Sequence, residues 1–360
     1  MSAARPFEPL TLRHGPDWPN RFMLAPLTNR QSHADGTLGE DELTWLARRA
    51  EGGFGLTMTC AAHVRERGVG FQGQLGIWSD RHLEGLKRLA DALARTGTHS
   101  AVQLHHAGLR TPPDLIEGAP EAPSDDPETG ARALDADELE RVKDDFVAAA
   151  RRAERAGFHG VELHGAHGYL LSQFLSPEQN HRQDQHGGSL ENRSRLLFEL
   201  VDRIRDECGA GFSLGVRLSP ERFGLRLEEM KEVARRLLGE GKIDYLDLSL
   251  WDVFKLPEED PHGDRTLLEH FTSLERGEVK LGAAGKILTG GDVRRALALG
   301  LDFLVIGRAG ILHHDYPRRV EADPDFEPVA LPVSVDHLRS EGVGEAFVDY
   351  LRLREGFVAP

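Results

Sequence analysis

Cysteine is nearly absent from this chain of 360 residues: Cys60 and Cys208 are the only two. Two thiols cannot ligate an iron–sulfur cluster or build a disulfide framework. They fit a reducing, cytoplasmic setting, with a single bridge between them formally open. Positive charge is also in deficit. Lys and Arg number 44 against 59 Asp and Glu, a net of −15, which argues against nucleic acid or an anionic membrane as the main partner. A cationic pocket for an anionic ligand is compatible with that total. No stretch is long and apolar enough to span a membrane. Residues 1–6 lack the apolar centre of a secretory signal. No sequence repeat, low-complexity tract or strong linker breaks the chain, so one domain over residues 1–360 is expected.

Apolar runs of strand length alternate with amphipathic helical patterns. Eight runs fall at residues 22–24, 55–61, 100–104, 160–163, 212–216, 245–248, 281–284 and 303–306. Between them, Asp80 is placed to cap a helix whose Leu83, Leu86, Ala90 and Leu93 share one face, with Gly97 past its end. Leu139, Val142, Phe146, Ala149, Ala153 and Ala156 repeat the pattern before Gly157, and Val293, Ala296 and Leu297 before Gly300. Eight strand–helix units predict an α/β fold of the (β/α)8 TIM-barrel type. A doubly wound open sheet would prefer a Gly-x-Gly-x-x-Gly turn after the first strand, and Ala25-Pro26-Leu27-Thr28 is not one. Residues 1–20 lead into the barrel. The Pro-, Gly- and acid-rich segment 111–135 and the segment 251–265 are expected at the carboxyl-end face as lid or rim. Residues 331–360 are expected to pack outside the barrel or against another subunit.

In such a barrel the chemistry sits where strands end. His164-Gly-Ala-His167-Gly-Tyr169 emerges after the fourth run. Imidazole N–H groups can hold an oxygen gaining negative charge, and a phenol can deliver a proton. From the residues alone, three readings of His164 and His167 stay open: zinc ligands together with His105, His106 and Glu162; core histidines satisfied by backbone; or groups that bind a substrate oxygen. Gln103 follows the third run and Arg217 the fifth. Near the seventh and eighth, Gly285 and Gly307 allow close backbone approach to an anion, and Arg308 adds a planar cationic fork.

Taken together these stretches resemble the old yellow enzyme family of flavin-dependent oxidoreductases, from about residue 20 to residue 317. The ordered motifs include Asn20-Arg21-Phe22, Ala25-Pro26-Leu27-Thr28, Leu75-Gly76-Ile77-Trp78-Ser79-Asp80, Gln103-Leu104-His105-His106-Ala107-Gly108 and His164-Gly-Ala-His167-Gly-Tyr169. Gln173-Phe174-Leu175-Ser176-Pro177, Asn180-His181-Arg182, Gly187-Gly188-Ser189, Gly215-Val216-Arg217 and Gly307-Arg308 follow.

The resemblance implies an FMN-binding barrel that takes hydride from NADPH or NADH and reduces the C=C bond of an α,β-unsaturated carbonyl or nitro compound. It implies that Ala25, Pro26, Leu27, Thr28 and Ala61 line the flavin ring. Gln103 would bond its pyrimidine edge, Arg217 would lie by N1 and O2, and Gly285, Gly307 and Arg308 would take the phosphate. His164 and His167 would grip the substrate oxygen and Tyr169 would donate the proton, with no metal required. Relatives often form dimers or tetramers, so a homo-oligomer is expected. Several positions depart from the family pattern: His186 stands where an aromatic is usual, Leu109 intervenes before Arg110, and Cys60 replaces a common glutamate. Thr28 and Arg30 stand where one branch has cysteine and tyrosine. Arg30, near the mouth, is a candidate for selecting an anionic substrate. A zinc-dependent barrel hydrolase and a non-catalytic flavoprotein are the competing readings.

Overall fold

The computed structural model describes residues 5–260 and 263–360. The start of the N-terminal lead-in (residues 1–4) and positions 261–262 of the segment 251–265 lie outside the described residues. Eight parallel strands close into a barrel: β1 Phe22–Leu24, β2 Leu56–His63, β3 His99–His105, β4 Gly160–Gly165, β5 Ser213–Leu218, β6 Tyr245–Ser249, β7 Lys280–Ala284 and β8 Phe303–Ile306. Neighbours in sequence are neighbours in the wall. β1 closes the seam, pairing Leu24 with Ile306 of β8 and Thr57 of β2.

The period of two along each strand explains the apolar runs. Outward residues such as Val102, Leu104, Val161, Leu163, Leu214 and Val216 are buried against the helical layer. Inward residues fill the cylinder: Met23, Met58, Ala101, Tyr245, Phe303 and Val305 form a separate cluster with Trp18. Trp18 plugs the amino-end of the barrel, its ring 5.4 Å from Tyr245 and 4.9 Å from Phe303, edge-on to both. Large residues need small ones opposite. A Cβ on Gly282 would fall 2.1 Å from the Phe303 ring, and one on Gly215 2.1 Å from the Tyr245 ring.

Helices form where their ends are satisfied. Asp135 caps Ala136–Ala156 by accepting from Glu138 N–H at 2.7 Å, and Gly157 ends it in the left-handed region at φ +94°. Ser189 caps Leu190–Glu207 through Asn192 N–H, as its motif suggests. The expected cap at Asp80 moves by one residue. Ser79 caps a short 3-10 turn, Asp80–His82, that runs into Leu83–Ala94, and Asp80 instead pairs with Arg152 and Arg155.

The structure narrows two expectations about the barrel mouth. Segment 111–135 sits at the rim and not as a lid, since none of its residues lines the cavity. It forms a two-stranded ribbon, Glu121–Ala122 with Arg132–Ala133, and buried Glu121 braces Arg65 at 3.2 Å and His106 at 3.4 Å. The C-terminal segment does more than pack outside. Its helices Val335–Ser340 and Glu345–Arg352 dock on Glu40–Glu51 through Phe347 against Trp45 (5.0 Å) and Arg49 to the Glu341 carbonyl (2.7 Å). From there Tyr350, Arg354 and Phe357 wall the cavity at the carboxyl ends of the strands.

The small-opposite-large rule gives a stability prediction. Gly282→Ala should overpack the Phe303 layer and lower unfolding free energy by about 1–3 kcal/mol, read as a shift of the urea midpoint at constant slope.

Candidate active site

A cavity of about 760 Å³ opens at the carboxyl ends of the strands. It gathers side chains far apart in sequence: Ala25, Pro26, Leu27 and Thr28 after β1, Ala61 on β2, Gln103 on β3, His164, His167 and Tyr169 at and after β4, Arg217 on β5, Gly285 after β7, and Gly307 and Arg308 after β8. Strand register explains the meeting. Ala61 pairs with Gln103, Gln103 with Glu162, His164 with Arg217 and Arg217 with Asp247. A bulge on β2 between Met58 and Ala61 sets the register of the Ala61 pair. A second cavity of about 670 Å³, near Asn20, Phe54, Thr98 and Arg318, collects none of these groups and lies towards the amino ends of the strands, the face associated with stability.

The two histidines converge. His164 Nε2 and His167 Nδ1 lie 3.3 Å apart, and His167 Nε2 meets the Ser249 hydroxyl at 2.7 Å. Burial holds both imidazoles below their ordinary range, His167 at about 3, and nearby Arg217 and Arg110 push the same way. Both rings are therefore neutral near pH 7, with one N–H each. If Ser249 O–H donates to His167 Nε2, the single proton of His167 sits on Nδ1, facing His164 Nε2. As the rings stand, that N–H donates to His164 Nε2, and the His164 proton is on Nδ1, which is buried without a partner; an oxygen between the two nitrogens accepts from both when the His164 proton is on Nε2 instead. The chain turns sharply here: His167 has φ +62°, and its N–H donates to Ser219 Oγ at 3.0 Å.

Tyr169 stands over the pair, its ring 5.1 Å from His164 and 4.4 Å from His105. Burial raises its pKa and the Arg110 guanidinium, 4.9 Å from the ring centroid, partly opposes that. The phenol keeps its proton at neutral pH. His105 supports the tyrosine from below, tied to Gln74 at 3.1 Å. His106 faces away from the cavity, toward Glu121.

Beneath the cavity lies a buried polar floor. Gln103 Nε2 donates to Glu162 Oε1 at 2.7 Å, which leaves the amide oxygen free to accept from a donor in the cavity. Arg217 Nε is 2.9 Å from Asp247 Oδ2, although the pair is not aligned as a hydrogen bond. Burial raises the Glu162 carboxyl to about 8, reinforced by Asp247 and opposed by Arg217; burial also raises Asp247, to about 6.

The cavity carries positive charge in an acidic protein. Lys286 pairs with Asp252 at 3.1 Å and Arg222 with Glu258 at 3.4 Å. Arg110, Arg308 and Arg354 also line it, with no carboxylate within ion-pair distance among the described residues. Gly285 leaves room for the turn after β6: a Cβ there would lie 2.8 Å from Asp252 N. An acceptor amide, a guanidinium and arginines without a carboxylate partner around one cavity fit a flavin with a phosphate tail. They fit a metal poorly. Among the described residues the one group of three possible ligands is His314, Asp315 and Glu341, away from the strand-end histidines, and His314 already bonds Glu341. Arg30 does not line the cavity. Its guanidinium packs 5.0 Å from the Tyr350 ring, one layer behind the wall. The cysteines are free and buried.

A model of the NADH:flavin oxidoreductase / NADH oxidase family matches residues 6–325. The chain belongs to this family. It is 35% identical over 326 residues to the probable NADH-dependent flavin oxidoreductase YqiG of Bacillus subtilis, covering 88% of this chain and 87% of that protein. Two other curated relatives are longer, and the chain spans 37% and 48% of their lengths. Among solved structures, morphinone reductase in complex with tetrahydroNAD superimposes with TM-score 0.78 at 29% identity, covering 99% of this chain and 98% of that one. The old yellow enzyme homologue from Zymomonas mobilis gives 0.77 at 28%, covering 93% and 96%. The family is one of NAD(P)H-dependent flavin oxidoreductases on an eight-stranded parallel barrel. No helix of the described residues is long and apolar enough to cross a membrane.

Sequence reasoning passed over Ser249, Ser219 and the C-terminal wall. Ser249 is the inward residue at the end of β6, and the period of two from Tyr245 and Asp247 was the signal for it.

The raised floor carboxyl predicts a pH effect on the flavin-free protein. Glu162 titrates near 4.5 when unfolded and near about 8 when folded. Between those values the fold keeps a proton that the unfolded chain releases. The contribution to stability is therefore complete below 4.5 and is lost as pH rises through about 8. Glu162→Gln should remove that part of the decline, measured as urea midpoints from about pH 5 to 9; parallel wild-type and variant profiles would refute the assignment.

Proposed function

We propose that the protein is an FMN-dependent ene-reductase, using NADPH or NADH to reduce the C=C bond of α,β-unsaturated carbonyl or nitro compounds. The observation that carries the reading is the convergence of His164 Nε2 and His167 Nδ1 beneath Tyr169, in the cavity that also collects Gln103, Arg217 and Arg308. FMN, when bound, supplies the hydride relay between nicotinamide and substrate. Arg308 with the Gly285 and Gly307 backbone would hold its phosphate. Ala25, Pro26, Leu27, Thr28 and Ala61 would line its ring. The Gln103 amide oxygen would accept from the ring N–H. Arg217 would favour negative charge on the pyrimidine side, and the Thr28 hydroxyl would donate to the ring carbonyl.

The remaining groups act on the substrate. Its carbonyl or nitro oxygen sits between the imidazoles, whose two N–H groups stabilise the charge that develops as hydride reaches the β-carbon. Ser249 is a positioning residue that keeps the His167 proton on Nδ1. The Tyr169 phenol, protonated at neutral pH, delivers a proton to the α-carbon. Arg30, behind Tyr350, would bear on anionic substrates through that ring. The metal-hydrolase reading gains no support from the histidine geometry, and a non-catalytic flavoprotein would leave the histidine–tyrosine arrangement unused.

The purified protein should be yellow, and titration with a para-substituted phenol should add a long-wavelength charge-transfer band. The double variant His164→Ala, His167→Ala should stay yellow and lose that band. Ser249→Ala should weaken phenol binding, and Tyr169→Phe should slow reoxidation by cyclohexenone by roughly 100-fold. A colourless protein that takes up no FMN would overturn the proposal.

A further inference from the structure

Two loops at the cavity mouth hold bulky side chains on backbone that disfavours them. After β6 the Asp252 N–H donates back to the Leu250 carbonyl at 2.6 Å, and Trp251 between them has φ +63°. This is the three-residue turn of positive φ, the rare and strained form. It is pinned from both sides: Leu250 N–H donates to the Ala284 carbonyl at 2.9 Å and Val253 N–H to the Gly285 carbonyl at 3.1 Å. After β5 the Leu225 N–H donates to the Arg222 carbonyl at 2.9 Å, with Phe223 at φ +56° and Gly224 at +72°. That hairpin turn ordinarily takes Asn, Asp or Gly at its first central position. Arg222 itself sits at φ +68°.

Burial does not compensate the strain at Trp251, which is 67% exposed, and Phe223 is buried only in part, at 37% exposed. The loops meet instead through Arg222, whose guanidinium lies 5.3 Å from the Trp251 ring centroid. Phe223 turns toward His167, centroids 6.3 Å apart. All three side chains line the cavity. Backbone strain held by surrounding hydrogen bonds that presents aromatic side chains at a cavity mouth is the pattern of a ligand clamp.

We propose that Trp251, Arg222 and Phe223 form a stacking subsite for the adenine end of the nicotinamide dinucleotide. The inference rests on the reading above, in which a nicotinamide must enter this cavity to pass on its hydride. The other half of such a donor ends in a planar heteroaromatic ring that leaves through the mouth. An indole face with a guanidinium over it is suited to stack that ring. Charge is a weaker selector at this rim, because Lys255, Lys286 and Arg222 already face Glu221, Asp252 and Glu258.

The test compares NADH with reduced nicotinamide mononucleotide, which lacks the adenosine half, and titrates ADP-ribose into the flavin-loaded protein by calorimetry. In the wild type NADH should have the higher kcat/KM by at least tenfold, and ADP-ribose should bind. Trp251→Ala should bring that ratio toward one and weaken ADP-ribose at least tenfold, and Trp251→Phe should restore most of both. An unchanged ratio in Trp251→Ala, an equal loss with both donors, or no binding of ADP-ribose to the wild type would overturn the subsite. An aromatic substrate as the true occupant would appear as a rise in enone KM at an unchanged donor ratio, which also overturns it. Failure to bind FMN or to oxidise either donor would reject the ene-reductase reading instead.

Discussion

Closure of the strand cylinder is the constraint on which everything else depends. Its seam is short: Phe22–Leu24 is three residues long, yet it bonds to β8 on one side and β2 on the other. Once that seam forms, parallel strands all end at one rim, and groups separated by more than 280 residues, Ala25 and Arg308, face one cavity. The same closure drives inward residues into contact, which is why Gly215 and Gly282 stand opposite Tyr245 and Phe303. The amino end is filled by hydrocarbon and aromatic rings. The carboxyl end is filled by amides, imidazoles and charges, so one cylinder has a stabilising end and a reactive end.

Electrostatics follow from that division. A protein of net −15 concentrates arginine around one opening and keeps two carboxyls, Glu162 and Asp247, under it. Burial alone would make a naked pair of carboxylates costly. Arg217 beside Asp247 and a retained proton on Glu162 meet that cost in different ways. The histidines are kept neutral by the same desolvation, so each ring has one donor and one acceptor nitrogen rather than a positive charge.

Much of this was legible in the sequence. The eight strands fall where apolar runs predict them, because strands buried on both faces read as continuous runs. The motifs at strand ends supply most of the cavity lining, since period two in a closed barrel turns alternate residues inward. What was not legible depends on long-range packing. Segment 111–135 has the composition of a lid, but its buried Glu121 answers Arg65 and His106 just past the carboxyl ends of β2 and β3. Segment 331–360 has ordinary helical amphipathicity, and nothing local says that its Tyr350 and Arg354 reach the cavity. Arg30 lies one layer behind the mouth because Tyr350 occupies the intervening space. Asp80 lost its capping role to Ser79 because two arginines on a neighbouring helix claim its carboxylate.

The chain has four tryptophans, and their surroundings differ sharply. Trp18 and Trp45 are buried, Trp78 is half-buried beneath Arg81, and Trp251 alone is open to water. The red edge of the intrinsic emission, and the fraction reached by iodide or acrylamide, therefore belong to a single indole on the strained turn beside Gly285. The molecule carries its own optical probe at the doorway of its cavity, so traffic through that doorway can be followed without attaching a dye.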